Sequence, residues 1–287
     1  MQLADPDIAV ITGAYGGIGQ ACARELGRNY KLVLADIDQD RLDDLASKLK
    51  AEGHEVLACA AGDLSRAGEA EALAELAEQN GKLACVAHAA GLSPALAGWE
   101  AIIGCNLVAT ERLLRVLERR QPTGLCAVLV ASMAGHLAPP DSEVDLVTAN
   151  PLAGDLLERL AGDIDRLAGV NDDHARARAA YAQSKRAVIR MAQDRAPSWG
   201  TWGGRIVTVS PGIIATPMGR KEVDANPYAQ HTLASTPAGR WGSPLDIANA
   251  VGFLTSRLAT FITGCDLRVD GGVTPVLAGR QGINFLP

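Results

Sequence analysis

Short apolar runs alternate with amphipathic stretches along almost the whole chain. Ile8–Ile11, Lys31–Ala35, Glu55–Cys59, Leu83–His88, Gly124–Val130, Arg205–Val209 and Cys265–Val269 read as strands. Between them come helical patterns. A glycine-rich turn leads into one that runs through about Arg28. From about Asp38 to Glu52, Leu42, Leu45, Ala46 and Leu49 share one face. Ser65–Gln79, Trp99–Arg120, Tyr181 to about Arg195 and Pro244–Ser256 follow. Strands alternating with helices predict parallel βαβ units. The expected fold is α/β: a doubly wound parallel sheet of about seven strands with helices on both faces. With no repeat, low-complexity tract or linker in view, residues 1–287 are expected to form a single domain.

One interval breaks the rhythm. Residues 136–180 lie between a strand end and the helix that starts near Tyr181, and they open with Pro139-Pro140. Within this helical insert Leu152, Leu156, Leu157, Leu160, Ile164 and Leu167 are read as one apolar face. That stripe must cover the body, a partner subunit or a substrate pocket.

Composition narrows the function. Apolar residues make up 48%, charged residues 21% and aromatic residues only 4%, which fits a globular enzyme better than a base-stacking surface. The net charge of −6 argues against nucleic acid or an anionic membrane as main partner. No C-x-x-C pair occurs among the six cysteines, which are expected to be buried free thiols in a reducing compartment. The first residues lack the pattern of a signal peptide, and no apolar run reaches the roughly 20 residues of a membrane span. A cytoplasmic protein is expected.

The glycine turn is Thr12-Gly13-Ala14-Tyr15-Gly16-Gly17-Ile18-Gly19, directly after the first strand. Gly13, Gly17 and Gly19 permit a tight turn and close backbone approach to a pyrophosphate at a helix N-terminus. Asp36 closes the second strand, where a carboxylate accepts from ribose hydroxyls and repels a 2′-phosphate. No Arg or Lys occurs in Ala14–Gly19 or immediately after Asp36, so the expected cofactor is NAD. Asp38 is the better candidate for capping the following helix. Asp63 either holds the adenine amino group or caps the helix after it.

Tyr181 and Lys185 are four apart on a helix and project from one face. A free tyrosine titrates near ~10, and a neighbouring ammonium favours its phenolate. Tyr181 can then exchange a proton with a substrate oxygen while hydride moves to or from a nicotinamide. Ser132, at the end of the fifth strand, is placed to donate to that oxygen. Asn106 lies on the apolar face Ile102, Ile103, Leu107, Thr110, Leu113, Leu114 and Leu117, so its amide needs a specific partner.

These residues, in this order, resemble a short-chain dehydrogenase/reductase. The likeness runs over nearly the whole chain except 136–180 and the tail after Gly272. It rests on TGAYGGIG, Asp36, the GDL at Gly62–Leu64, CNLVAT around Asn106, ASMAG around Ser132, YAQSK, PGIIATPM, RWGSPLDIA and the late VDGG. It implies a catalytic tetrad of Asn106, Ser132, Tyr181 and Lys185, with Lys185 on the nicotinamide ribose and Asn106 holding a relay water. It implies a cofactor site of Gly13, Tyr15, Gly17, Ile18, Gly19, Asp36, Asp63, Leu64, Ala90, Gly91, Pro211, Gly212, Ile214, Thr216 and Met218. Ile214 and Thr216 would contact the carboxamide, Pro217–Pro237 would form a mobile substrate loop, and no metal is implied.

Two features depart from the family pattern. Where the family usually has Asn-Asn-Ala-Gly, this chain has His88-Ala89-Ala90-Gly91. The asparagine that ties strands together is missing, and His88 is assigned packing or hydrogen bonding rather than catalysis. The long interval before Tyr181 resembles bacterial hydroxysteroid dehydrogenase/carbonyl reductases of the family that also carry an insert there. That favours a secondary alcohol or ketone that is bulky, apolar or cyclic, such as a hydroxysteroid, and a homo-oligomer. The alternatives are a 3-oxoacyl-thioester reductase, or a nucleotide-binding regulatory protein without turnover.

Overall fold

In a computed structural model, which describes residues 7–170 and 172–279, the chain builds one sheet of seven parallel strands. They are β1 (Asp7–Thr12), β2 (Lys31–Asp36), β3 (Val56–Ala61), β4 (Lys82–His88), β5 (Cys126–Val130), β6 (Arg205–Pro211) and β7 (Asp266–Val269). Their order is β3-β2-β1-β4-β5-β6-β7. The helices are α1 (Gly17–Leu26), α2 (Gln39–Ala51), α3 (Glu69–Asn80), α4 (Trp99–Ile103), α5 (Ala109–Arg120), α6 (Met133–Leu137) and α7 (Ser142–Thr148). They continue as α8 (Leu156–Ala168), α9 (Asp173–Thr201), α10 (Pro217–Ala225), α11 (Pro227–Ala234), α12 (Pro244–Thr255) and α13 (Val273–Gly279). A π-helical turn, Gly104–Val108, joins α4 to α5.

The inner strands are apolar throughout because both of their faces are covered. In β1, Ile8 and Val10 enter a core shared with α3, α5 and α9, while Ala9 and Ile11 enter one shared with α1, α2 and α12. Successive strand side chains point to opposite faces, so one run of apolar residues supplies both layers. Strand order reverses between β1 and β4, which opens a crevice at their carboxyl ends. No helix among the described residues is long and apolar enough to cross a membrane.

Several expectations change. The helix placed at Ser65 begins at Glu69, after Gly68 takes a φ of 91°. The interval 136–180 divides into α6, α7, α8 and the first turns of α9, which starts eight residues before Tyr181. Only Leu156, Leu160 and Ile164 of the supposed stripe are fully buried, at the four-residue spacing of one helix face. Leu157 turns to solvent, Leu152 precedes α8, and Leu167 is partly buried. The buried three join the main core, and α8 packs on α9, so the stripe covers the body of the fold. Pro217–Pro237 is built mainly of two short helices rather than an open loop. Thr216 and Asn226 cap them, each followed by proline at the first helical position. Of the free cysteines, Cys22, Cys85 and Cys126 are buried, but Cys265, just before the edge strand β7, is exposed.

Candidate active site

The glycine turn sits at the carboxyl end of β1 in a space that side chains would fill. A Cβ on Gly19 would lie 2.0 Å from the Gly13 carbonyl oxygen, and one on Gly17 would lie 2.6 Å from the Thr216 methyl. Gly13 has a φ of 61°, and a Cβ there would strike the backbone of Ala89 and Ala90. Gly16 precedes α1 with no side-chain cap, so the first-turn N–H groups of Gly17 and Ile18 point outward without a capping oxygen. Such a terminus suits a pyrophosphate.

Asp36 lies beside this turn. One carboxylate oxygen accepts from Tyr15 N at 2.9 Å and the other from Ile37 N at 2.8 Å, leaving lone pairs for ribose hydroxyls. Asp38, not Asp36, caps α2, accepting from Arg41 N. Gly62 N donates to Asp36 O, which sets the next turn close by. There Asp63 accepts from Ser65 N and Ser65 Oγ, so it closes a turn and does not cap α3. Leu64 is buried in the core. Ala90 N approaches Thr12 Oγ1, and Gly91 is flanked by the Asn106 amide and the Lys185 ammonium. On the far side Pro211 ends β6, Gly212 N donates to Val269 O, and Ile214 is buried. Thr216 uses its hydroxyl to cap α10, and Met218 is half-buried in the first turn of that helix. The cradle, the uncapped helix start and the carboxylate together fit a nicotinamide dinucleotide.

Ser132, Tyr181 and Lys185 converge at the end of β5. Ser132 caps α6 through Ala134 N, and its hydroxyl is hydrogen-bonded to Tyr181. Lys185 Nζ lies 5.9 Å from the Tyr181 ring centroid and donates to Val130 O at 2.8 Å. Asn106 sits in the π-helical turn, a distortion common at functional sites. Its Oδ1 accepts from Leu92 N, and its Nδ2 donates to Leu92 O and Ser184 Oγ. Ser184 Oγ in turn donates to Tyr181 O. The Asn106 side chain therefore clamps the segment after β4 onto α9.

The electrostatics differ from expectation. Burial pushes the Tyr181 phenol above its ordinary range, the Glu222 carboxylate pushes it further, and the Ser132 hydrogen bond opposes both. Lys185 is perturbed as well: burial disfavours its charged form and lowers its pKa from 10.5 to about 8. In the free protein Tyr181 therefore holds its proton. Sequence reasoning missed Glu222, a half-buried carboxyl on α10 that burial pushes upward. It also missed Arg41, whose guanidinium lies 5.5 Å from the Tyr15 ring centroid while paired to Asp38. Neither belongs to a motif; one turn of helix brings each to the cleft.

A family model described as short chain dehydrogenase matches residues 7–143, and one described as Enoyl-(Acyl carrier protein) reductase matches 168–274. The short-chain dehydrogenase/reductase bsc3 of Alternaria brassicicola is 30% identical over 94% of this chain and 96% of its own length. The 2-(S)-hydroxypropyl-CoM dehydrogenase 3 of Xanthobacter autotrophicus is 31% identical over 94% and 97%. A 7α-hydroxysteroid dehydrogenase, solved with NADH and 7-oxoglycochenodeoxycholic acid, superposes with a TM-score of 0.70 at 24% identity over 93% and 94%, a likeness of fold. The family these matches share is one of oxidoreductases that generally bind a nicotinamide cofactor. The chain belongs to the short-chain dehydrogenase/reductase family.

Proposed function

We infer that the protein is an NAD-dependent alcohol dehydrogenase or ketone reductase whose whole chain forms one catalytic domain, with 136–180 as its insert. The observation that carries this reading is the convergence of the Ser132 and Tyr181 hydroxyls beside Lys185 at the crevice. The nicotinamide, when bound, takes or gives the hydride. Ser132 and Tyr181 hold the substrate oxygen between two hydroxyls. In reduction, hydride adds to the carbonyl carbon while Tyr181 gives its proton to the oxygen; oxidation reverses both transfers. The charged Lys185 would balance the phenolate left on Tyr181 until that oxygen takes a proton back.

Asp36 beside the turn supports NAD over NADP. A bulky apolar or cyclic substrate such as a hydroxysteroid is the favoured class, on the likeness of the insert. Glu222 disfavours an anionic group next to the reacting carbon, which weighs against acidic substrates. Family likeness supports a homo-oligomer, and the free cysteines support a cytoplasmic setting.

The test is absorbance at 340 nm with NAD or NADP and a panel of secondary alcohols that includes 3- and 17-hydroxysteroids. NAD-linked turnover that favours steroids supports the full reading. Turnover on small alcohols only removes the steroid class. Cofactor binding without turnover across the panel would replace the enzyme reading with a nucleotide-binding protein.

A further inference from the structure

His88 ends β4 at the point where strand order reverses, and its register partner there is Thr12, the last residue of β1. Both are buried. The ring bridges two hydroxyls: Nδ1 lies 2.7 Å from Thr12 Oγ1, and Nε2 lies 2.9 Å from Thr110 Oγ1. Thr110 is one turn beyond Asn106, and its hydroxyl donates to Asn106 O at 2.7 Å.

These contacts fix the proton positions. A threonine hydroxyl has a single proton to give. Thr110 gives it to Asn106 O, so toward His88 it can only accept, and Nε2 must carry the hydrogen. Burial, reinforced by the charge of Lys185, lowers the His88 pKa to about 3, so the ring is neutral and Nδ1 bears a lone pair. Thr12 then donates to Nδ1, and its oxygen faces Ala90 N at 3.4 Å. The bonds run in one direction on each side of the ring: Ala90 N–H to Thr12 to Nδ1, and Nε2–H to Thr110 to the Asn106 carbonyl.

One end of this chain lies against the glycine turn, since Gly13 packs on the backbone of Ala89 and Ala90. The other end lies on the turn whose Asn106 side chain holds Leu92 and Ser184. We propose that His88 is a positioning residue, a neutral imidazole protonated on Nε2 that fixes the Asn106 turn relative to the nucleotide turn. The proposal rests on the reading of those two turns as parts of one active site. Phenylalanine would keep a planar ring, though a larger one, and make neither bond. A protonated ring would present two donors and leave Thr12 without its acceptor.

Three readouts on the full-length protein test this. In nitrogen-resolved NMR, the His88 ring is expected to be neutral, protonated on Nε2, and without titration between pH 5 and 8. An Nδ1-protonated ring, or titration in that window, would overturn the hydrogen-bond chain whatever the activity. Thr110→Val removes the hydroxyl and keeps the shape, so it remains informative if His88→Phe does not fold. It should speed amide exchange at Leu92 about tenfold or more with no matching change at distant core amides. Unchanged exchange at Leu92 would overturn positioning through Asn106 even in a protein without turnover, so this failure is separable from failure of the enzyme reading. In an active protein, Thr110→Val and His88→Phe should each lower kcat about tenfold, with NAD affinity within about threefold. The double variant should fall little further than either single one, because one chain is cut twice. Additive losses, or an equal loss of NAD affinity and kcat, would reduce His88 to packing.

Discussion

The Asp36 carboxylate accepts the backbone N–H of Tyr15, so the residue proposed to read the ribose also holds the glycine-rich turn in shape. Asp36→Asn keeps an acceptor for that N–H and removes the charge. Asp36→Ala removes both. Charged hydrogen bonds of this kind contribute about 1.5–3 kcal/mol. NAD affinity is therefore expected to fall roughly 10- to 100-fold in Asp36→Ala, and less in Asp36→Asn. Both variants should gain use of NADP, because Arg41 stands over Tyr15 ready to meet a 2′-phosphate. Adding Arg41→Ala should abolish that gain. Titration of both cofactors by fluorescence checks the set, and an unchanged NAD/NADP ratio in Asp36→Asn would remove Asp36 from cofactor choice.

Tyr181 is the only member of the cluster assigned to give the proton. Tyr181→Phe retains the ring over which Lys185 lies and deletes the oxygen held by Ser132. Turnover should drop about 10²–10⁴-fold while NAD affinity stays within a factor of about two. Steady-state kinetics paired with a binding titration measures both. Retained turnover would assign the proton to another group.

On α7, Asp145 pairs with Arg186 and Arg190 of α9, and Arg186 directly follows Lys185. Cutting this link in Asp145→Ala leaves two guanidinium groups without it, at a cost on the order of 1 kcal/mol. If α7 and α8 shape the substrate side of the cleft, KM for a bulky alcohol rises several-fold while NAD affinity holds. A change in subunit stoichiometry with KM unaltered would assign these helices to a subunit interface instead.

The strands were legible because a sheet covered on both faces needs continuous apolar runs, and every run that was read corresponds to a strand of the sheet. Asp38 as a cap and Asn106 as a buried, partnered amide followed from local rules that tertiary packing did not override. The insert was harder: Leu157 satisfied the composition of an apolar stripe but not its angular position. The short helices α10 and α11 fall in the segment expected to be a loop: Thr216-Pro217 and Asn226-Pro227 mark their starts, but their few apolar residues carry no strong period. What no local rule supplies is the electrostatic balance at Tyr181. The spacing to Lys185 is a property of one helix, whereas the burial of both groups and the approach of Glu222 come from the assembled fold.

That burial has a measurable consequence at Lys185. Its pKa is about 8 in the folded protein against an ordinary 10.5. Below pH 8 the lysine is charged in both states, and confining the charge costs about 3 kcal/mol at ~1.4 kcal/mol per pKa unit. Between pH 8 and 10.5 the unfolded chain binds a proton that the folded chain does not, so this group's contribution makes stability rise with pH. Tyr181 acts in the opposite sense, but only above pH 10, where an unfolded tyrosine ionises and the buried phenol does not. The clean window is therefore pH 8 to 10. Lys185→Met removes the buried charge and, with it, the hydrogen bond to Val130 O, worth about 1 kcal/mol at any pH below the transition. The variant should be inactive yet more stable than the parent at pH 7, by roughly 2 kcal/mol, and that advantage should shrink steadily toward pH 10. Urea denaturation of both proteins at pH 7, 8.5 and 10 measures it. A stability difference that stays constant across the three would mean that Lys185 titrates as an ordinary lysine and that its charge is not confined by the fold.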